Sequence, residues 1–293
     1  MAGPSRRPRT RRVVTSLKIL LTNDDGIDAP GLWAAVRSLR KVGEVCVVAP
    51  LHEQSGVGAA LTLHAPVEVQ EQPIDSQLAG DSPDLFDVVA YSVDGTPADS
   101  CVVALEKVVG KVDLVVSGIN AGSNTGWDVI VSGTVGAALQ GYFRGYNTIA
   151  ISVGGVRSPI FDSSARLVGL MAKRLDERRE ELGKQDHFLL NVNVPNVALD
   201  QIAGLKVTTM GGRSYGESVT ERFGGANAGS KRYQISRNVP MSAKEVEGSD
   251  IWALKNNYVS ITPLHIALGH LERMPDVETL VSGLGDRLLA AGD

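Results

Sequence analysis

The chain has 293 residues, 43% hydrophobic and 21% charged, with a mean hydropathy of +0.01 and a formal net charge of −4. This is an ordinary globular composition, long enough to bury a substantial core. Six basic residues (Arg6, Arg7, Arg9, Arg11, Arg12, Lys18) and no acid fall within residues 1–18, so the rest holds 23 basic against 33 acidic residues and a charge of −10. A body that acidic argues against binding to nucleic acid, whose backbone affinity comes from clustered cations. No stretch approaches the ~20 apolar residues of a membrane span.

Residues 1–17 are expected to form a disordered basic tail, with the folded body at 18–293. The Arg-rich start is not followed by an apolar signal segment, because Val13 and Val14 run directly into Thr15 and Ser16, so a cytoplasmic location is expected. Cys46 and Cys101 are far apart and are expected to be buried, reduced thiols.

In chain order, Leu17–Leu21 is an apolar run ending in Thr22-Asn23-Asp24-Asp25-Gly26, the pattern of a buried parallel strand entering a loop. Pro30 opens a helical pattern with Leu32, Trp33, Val36 and Leu39 on one side. Glu44–Ala49 reads as a second buried strand, stopped by Pro50 and followed by a polar loop to about Ala60. Val67–Val69 and Phe86–Val93 are strand candidates. Thr96-Pro97-Ala98-Asp99 starts a helix running through Val108, and Asp113–Ser117 is another buried strand. Ser132-Gly133-Thr134 starts a helix through Tyr142; Thr148–Val153 and Leu189–Val194 return as strands. Alternating strands and helices predict an α/β three-layer sandwich on a mostly parallel, Rossmann-like sheet, with a core at 18–200.

Beyond residue 200 the pattern changes. Lys206–Met210 is strand-like, Gly211–Ala228 is rich in glycine and polar residues, and Lys231–Ser236 alternates, which predicts an extended hairpin arm. Asn257–Thr262 reads as a last strand and Val277–Leu289 as an amphipathic terminal helix. The segment from about 205 to 293 is the candidate oligomerisation region.

Ligands of open parallel sheets bind beyond the carboxyl ends of the strands. There the sequence places Asn23-Asp24-Asp25-Gly26, then His52-Glu53-Gln54-Ser55-Gly56, then Gly118-Ile119-Asn120-Ala121-Gly122-Ser123-Asn124, and Ser132-Gly133-Thr134 at a helix start. Adjacent carboxylates are costly unless something cationic neutralises them. With Ser and Asn oxygens nearby and no cluster of His or Cys, a hard ion such as Mg²⁺ or Mn²⁺ fits best. Asp-Asp-Gly alone is equally compatible with a helix cap and turn. Likewise Ser132-Gly133-Thr134 is either an anion site or a plain N-cap.

Other patterns compete. Gly212-Arg213-Ser214-Tyr215-Gly216 matches a serine-hydrolase nucleophile elbow, with Asp250 and His265 or His270 downstream, but the residues after it do not read as the required helix. Gly56-Val57-Gly58-Ala59-Ala60-Leu61 lacks the third glycine of a dinucleotide fingerprint, and no P-loop pattern is present. A non-catalytic, metal-stabilised regulatory binding protein is the remaining alternative.

The segments LLTNDDGIDAPG, VVAPLHEQSGVGAALT, DGTPADSC, DLVVSGINAGSNTG and VSGTVGAALQGYFRG resemble, in order, the motifs of the SurE family, stationary-phase survival proteins that act as 5′/3′-nucleotidases. The resemblance covers about residues 18–195 and returns in SDIWALKNNYVSITPLH. It implies a metal-dependent, acid-type phosphatase acting on nucleoside 5′-monophosphates, with 3′-monophosphates and short polyphosphate as further candidate substrates. It implies one divalent ion per subunit, Mg²⁺ or Mn²⁺, held by Asp24, Asp25, Ser55 and Asn120. Phosphate contacts would come from Asn124, Ser132, Gly133 and Thr134, and Asp24, Asp25, Asn124 and Thr134 would form the catalytic set. The family usually has a basic residue in the loop before the matched serine, where this chain has His52-Glu53-Gln54. The resemblance also implies a homodimer, with a tetramer as the further assembly, although the glycine-rich arm departs most from the family pattern.

Overall fold

The computed structural model describes residues 16–74, 83–178, 187–212, 215–222, 230–240, 246–284 and 288. The expected basic tail falls, but for its last two residues, outside the described residues, as does Ser214.

Nine strands form one sheet: β1 (Leu17–Thr22), β2 (Gly43–Pro50), β3 (Glu68–Glu71), β4 (Val89–Asp94), β5 (Leu114–Ala121), β6 (Asn147–Val153), β7 (Leu189–Val194), β8 (Gly204–Val207) and β11 (Tyr258–Leu264). Their order is β3-β4-β2-β1-β5-β6-β7-β11-β8. The six strands from β4 to β7 are parallel, whereas β3 pairs antiparallel with β4, and β11 pairs antiparallel with β7. From β1 the chain works outward through β2 and β4, then returns to lay β5 on the other side of β1. That reversal is the switch point where such sheets bind ligands.

Both faces of the sheet are covered, which is why its strands read as continuous apolar runs. Ile19 and Leu21 of β1 face one core, with Leu32, Trp33, Val36 and Leu39 of α1 (Pro30–Leu39) and Ala165, Val168 and Ala172 of α4 (Asp162–Glu177). Leu20 faces the other, with Cys101 of α2 (Pro97–Val103) and Ala137 of α3 (Gly133–Phe143). Leu20 is fully buried, so Leu20→Ala would leave a cavity costing about 2–5 kcal/mol. Both cysteines are free and buried, and burial pushes Cys46 up to about 11 and Cys101 to about 12. This is the three-layer α/β sandwich the sequence predicts.

Several boundaries differ. Phe86 lies in a 3-10 turn, Pro83–Asp87, and its strand begins only at Val89, where pairing with Cys46 of β2 starts. The helix from Pro97 ends at Val103, and Ala104–Val108 follows as a π-helical turn. β8 is confined to Gly204–Val207 by its pairing with Tyr258–Ile261 of β11. The arm is a hairpin of β9 (Tyr215–Arg222) and β10 (Arg232–Pro240), antiparallel with an irregularity between Ser236 and Val239. It leads through α5 (Asp250–Lys255) to β11. The expected C-terminal helix starts earlier, as α6 (Met274–Val281), with Pro275 in its first turn and Gly283 at φ +72° after its end; Leu284 and Leu288 are again helical, and the rest of 285–293 lies outside the described residues. Among the described residues, no helix is long and apolar enough to cross a membrane.

Candidate active site

The end of β1 turns at Gly26, whose φ is +97°, and Asn23 holds the turn by donating Nδ2 to Gly26 O at 2.8 Å. This turn is what brings Asp24 and Asp25, adjacent in sequence, into one site. In continued extended backbone they would point to opposite faces.

Three connections draw the remaining residues to the pair. Gln54 N–H donates to Asp24 O (2.8 Å), which seats the Ser55 loop beside β1. Ala121 N–H donates to Asp25 Oδ2 (3.1 Å), which brings in the end of β5 next to Asn120. Thr134 Oγ1 donates to Asp24 Oδ1 (2.5 Å), and the Thr134 backbone N–H bonds the same carboxylate. A bulge re-aims Asn120: the β5–β6 register shifts between Ser117 and Asn120. Gly118 in that bulge has φ +129°, and a Cβ there would lie 2.2 Å from Ile151 O. The Ser55 loop is stitched down further along, where Asp99 accepts Thr62 N–H (2.9 Å) and Thr62 Oγ1–H (2.6 Å).

Asp24 is 4% exposed. Burial raises its pKa to about 7; the Thr134 hydroxyl opposes that shift and the Asp25 charge adds to it. Asp25 is also raised, by burial and by Glu53, against the Ala121 N–H. Among the described residues neither carboxylate has an ion-pair partner. The donor set fits a hard divalent cation: two carboxylates, the Ser55 hydroxyl, and Asn120, whose Nδ2 is used by Gly122 O (2.6 Å) so that Oδ1 is its available donor atom. Ser55 Oγ donates to Glu53 Oε1 (2.7 Å) and keeps its lone pairs. Among the described residues no group of three or more His, Cys, Asp or Glu is placed to hold a metal ion.

The expected anion-binding residues meet the pair from the other side. Ser132 caps α3, accepting Val135 N–H at 3.2 Å, and a Cβ on Gly133 would lie 2.8 Å from Asp24 Cβ. Asn124 is 9% exposed, and its Nδ2 donates to Thr134 Oγ1 (3.2 Å) and Ser152 Oγ (3.0 Å). Asn124 and Thr134 therefore form a buried polar chain that ends on Asp24. Asp24, Gly133, Thr134 and Asn124 are in direct contact at the switch point, Ser55 and Asn120 are drawn alongside only through their neighbours Gln54 and Ala121, and the helix N-terminus places its positive end on the buried carboxylate.

Sequence reasoning missed the supports of this site. Asn191 and Asn193 of β7, both fully buried, donate to Asn124 O (2.7 and 3.1 Å), and Asn193 Oδ1 accepts Asn124 N–H at 2.8 Å. Two asparagines at alternate positions of an otherwise apolar strand were the available signal. Asp250 is also fully buried, accepting N–H bonds from Gly126, Gly211 and Ile251, each at 2.8 Å. From Tyr215 the chain enters β9, so the G-x-S-x-G pattern does not stand between a strand and a helix.

A family model described as Survival protein SurE matches residues 19–217. The chain is 42% identical over 252 residues to a protein named 5′-nucleotidase SurE of Dehalococcoides mccartyi (strain CBDB1), covering 85% of this chain and 89% of that protein. It is 37% identical over 265 residues to one of the same name from Geobacter metallireducens, covering 90% and 97%. Among solved structures, that of SurE protein from Aquifex aeolicus aligns with a TM-score of 0.72 at 35% identity, covering 90% of this chain and 99% of that one.

Proposed function

The chain belongs to the SurE family, and from that premise we propose that it is a metal-dependent phosphomonoesterase that hydrolyses nucleoside 5′-monophosphates to nucleoside and phosphate. The observation that carries this reading is the buried Asp24 and half-buried Asp25 at the switch point, without an ion-pair partner among the described residues, with Asp24 facing the N-terminus of α3. Nucleoside 3′-monophosphates and short polyphosphate are further candidate substrates.

Asp24, Asp25, Ser55 and Asn120 would hold one Mg²⁺ or Mn²⁺ per subunit. When bound, the ion supplies positive charge that neutralises phosphate oxygens and makes water more acidic. Asp25, the less buried carboxylate, orients or deprotonates the attacking water. Asp24 stays anchored by the Thr134 hydroxyl and amide. Asn124, Ser132, Gly133 and Thr134 receive the phosphoryl group, and the positive end of α3 offsets the charge that builds up on it. Attack by an aspartate with a covalent phosphate is the competing route.

The working unit is a homodimer, with the tetramer a further assembly. Support comes from an apolar groove of about 490 Å³ lined by Ile130, Leu139, Phe143, Leu189, Leu264 and Ile266, and from helix α6, which buries no residue of its own. Each suits the other on a second copy of the chain.

The test is hydrolysis of a panel of nucleoside monophosphates and polyphosphate with Mg²⁺, Mn²⁺ or EDTA. Metal-restored release of phosphate from 5′-monophosphates is expected. Equal turnover in EDTA overturns the metal site, and no turnover with any ion leaves the regulatory binding protein as the better reading.

A further inference from the structure

Asp250 lies 124 residues from Gly126 in sequence, yet its Oδ2 accepts the Gly126 N–H at 2.8 Å. Its Oδ1 accepts Gly211 N–H and Ile251 N–H, also at 2.8 Å. A fully buried carboxylate so engaged is costly to place and is not part of the metal or phosphate set. Its surroundings say what it holds together.

Gly211 is where the chain leaves the sheet for the arm, and Asp250 is where it returns. The two ends are closed on each other by Thr209 N–H to Gly248 O (3.0 Å) and Asp250 N–H to Thr209 O (2.9 Å). Gly126 belongs to the loop between Asn124 and Ser132. It has φ +55°, and a Cβ there would lie 1.9 Å from Gly212 O. The next residue, Trp127, donates its N–H to Gly212 O at 3.2 Å. The loop between the two expected phosphate contacts is thus seated on the arm root, at Gly212 and at Asp250.

We infer that Asp250 is a positioning residue that pins the Asn124–Ser132 loop to the root of the arm, so that the seating of the arm sets the geometry of phosphate binding. This rests on the phosphomonoesterase reading above. The carboxylate suits the task because three N–H donors converge on its two oxygens; an amide in its place turns a donor toward at least one of them. A misplacement of about 1 Å at such a support costs on the order of a hundredfold in rate.

The experiment is calorimetric binding of inorganic phosphate to the full chain with saturating Mn²⁺, together with KM and kcat on a nucleoside 5′-monophosphate. Asp250→Asn is expected to weaken phosphate binding and raise KM by about tenfold or more, with Mn²⁺ affinity unchanged. Gly126→Ala, whose Cβ would meet Gly212 O and shift both the loop and the N–H that Asp250 accepts while the carboxylate itself stays in place, is expected to give the same signature and decides the matter if Asp250→Asn does not fold. A merely structural Asp250 would lower the melting temperature and leave phosphate affinity and KM at the parent values, and that result overturns the inference. A parent that binds no phosphate overturns the functional reading and this inference with it; a parent that binds, with variants that bind equally, overturns this inference alone.

Discussion

Thr134 Oγ1 lies 2.5 Å from Asp24 Oδ1 and joins the first turn of α3 to the end of β1 across 110 residues of sequence. The hydroxyl favours the charged form of a carboxylate that burial otherwise drives toward neutrality. Thr134→Val removes the donor and nearly keeps the shape. A hydrogen bond to a charged group is worth about 1.5–3 kcal/mol, so Mn²⁺ affinity at neutral pH should fall by roughly tenfold to a hundredfold. A Mn²⁺ titration that returns the parent's affinity refutes the role given to Thr134.

Asp25→Asn keeps the shape of the turn and removes one charge. Turnover or metal affinity should fall by about a hundredfold while the protein still folds. In EDTA the variant should melt no lower than the parent, since the carboxylate repulsion is relieved; added Mn²⁺ should raise the parent's melting temperature more than the variant's. Equal Mn²⁺ shifts for the two proteins count against Asp25 as a ligand.

The metal-free protein should lose stability as pH rises from about 4 to about 7. Asp24 ionises near 3.8 in the unfolded chain and near 7 in the folded one, so within that window the folded state retains a proton that the unfolded state has released. The loss is complete above pH 7 and amounts to at most about 4 kcal/mol. Asp24→Asn should flatten the slope. Denaturant melts in EDTA across this range check it, and parallel slopes for parent and variant contradict the assignment.

Truncation after His270 removes α6 and should convert the dimer to a monomer at micromolar concentration. Light scattering reads this directly. A full-length chain that runs as a single 31 kDa species removes the dimer from the proposal.

Ser214→Ala should leave hydrolysis within a few-fold of the parent, whereas loss of a serine nucleophile costs about a millionfold.

How far the sequence was legible follows from how local each signal is. β1, β2, β5 and β6 announce themselves because both faces are buried and each carries a short apolar run, such as Val115-Val116 and Ile149-Ala150-Ile151. The polar ends of β1 and β5 and the start of α3, with Asp24, Asp25, Asn120 and Ser132, are legible as places because strand ends and helix starts carry their own punctuation, whereas the ligand roles of Ser55 and Asn120 came only from the family resemblance. Asp250 was not: its meaning lies in Gly126 and Gly211, and nothing near it in sequence distinguishes it from an acid in the first turn of a helix. Asn191 and Asn193 showed their alternation but not their partner. NYVSIT was legible as the strand β11, but its antiparallel pairing with β7 was not, because an apolar run carries no direction and the orientation is set by the path through the arm.

The sheet has a consequence for the order in which the chain can assemble during synthesis. Among the described residues β8 pairs with no strand except β11, which is made of residues 258–264 and inserts between β7 and β8. A nascent chain can therefore lay down β1 to β7 and bring every expected metal and phosphate residue together while β8 still lacks a neighbour. Asp250 and β11 come last, and with them the pin on the Asn124–Ser132 loop. On the proposed assignment, a chain released before residue 250 would hold every proposed ligand residue and lack the Asp250 contact that seats the Asn124–Ser132 loop.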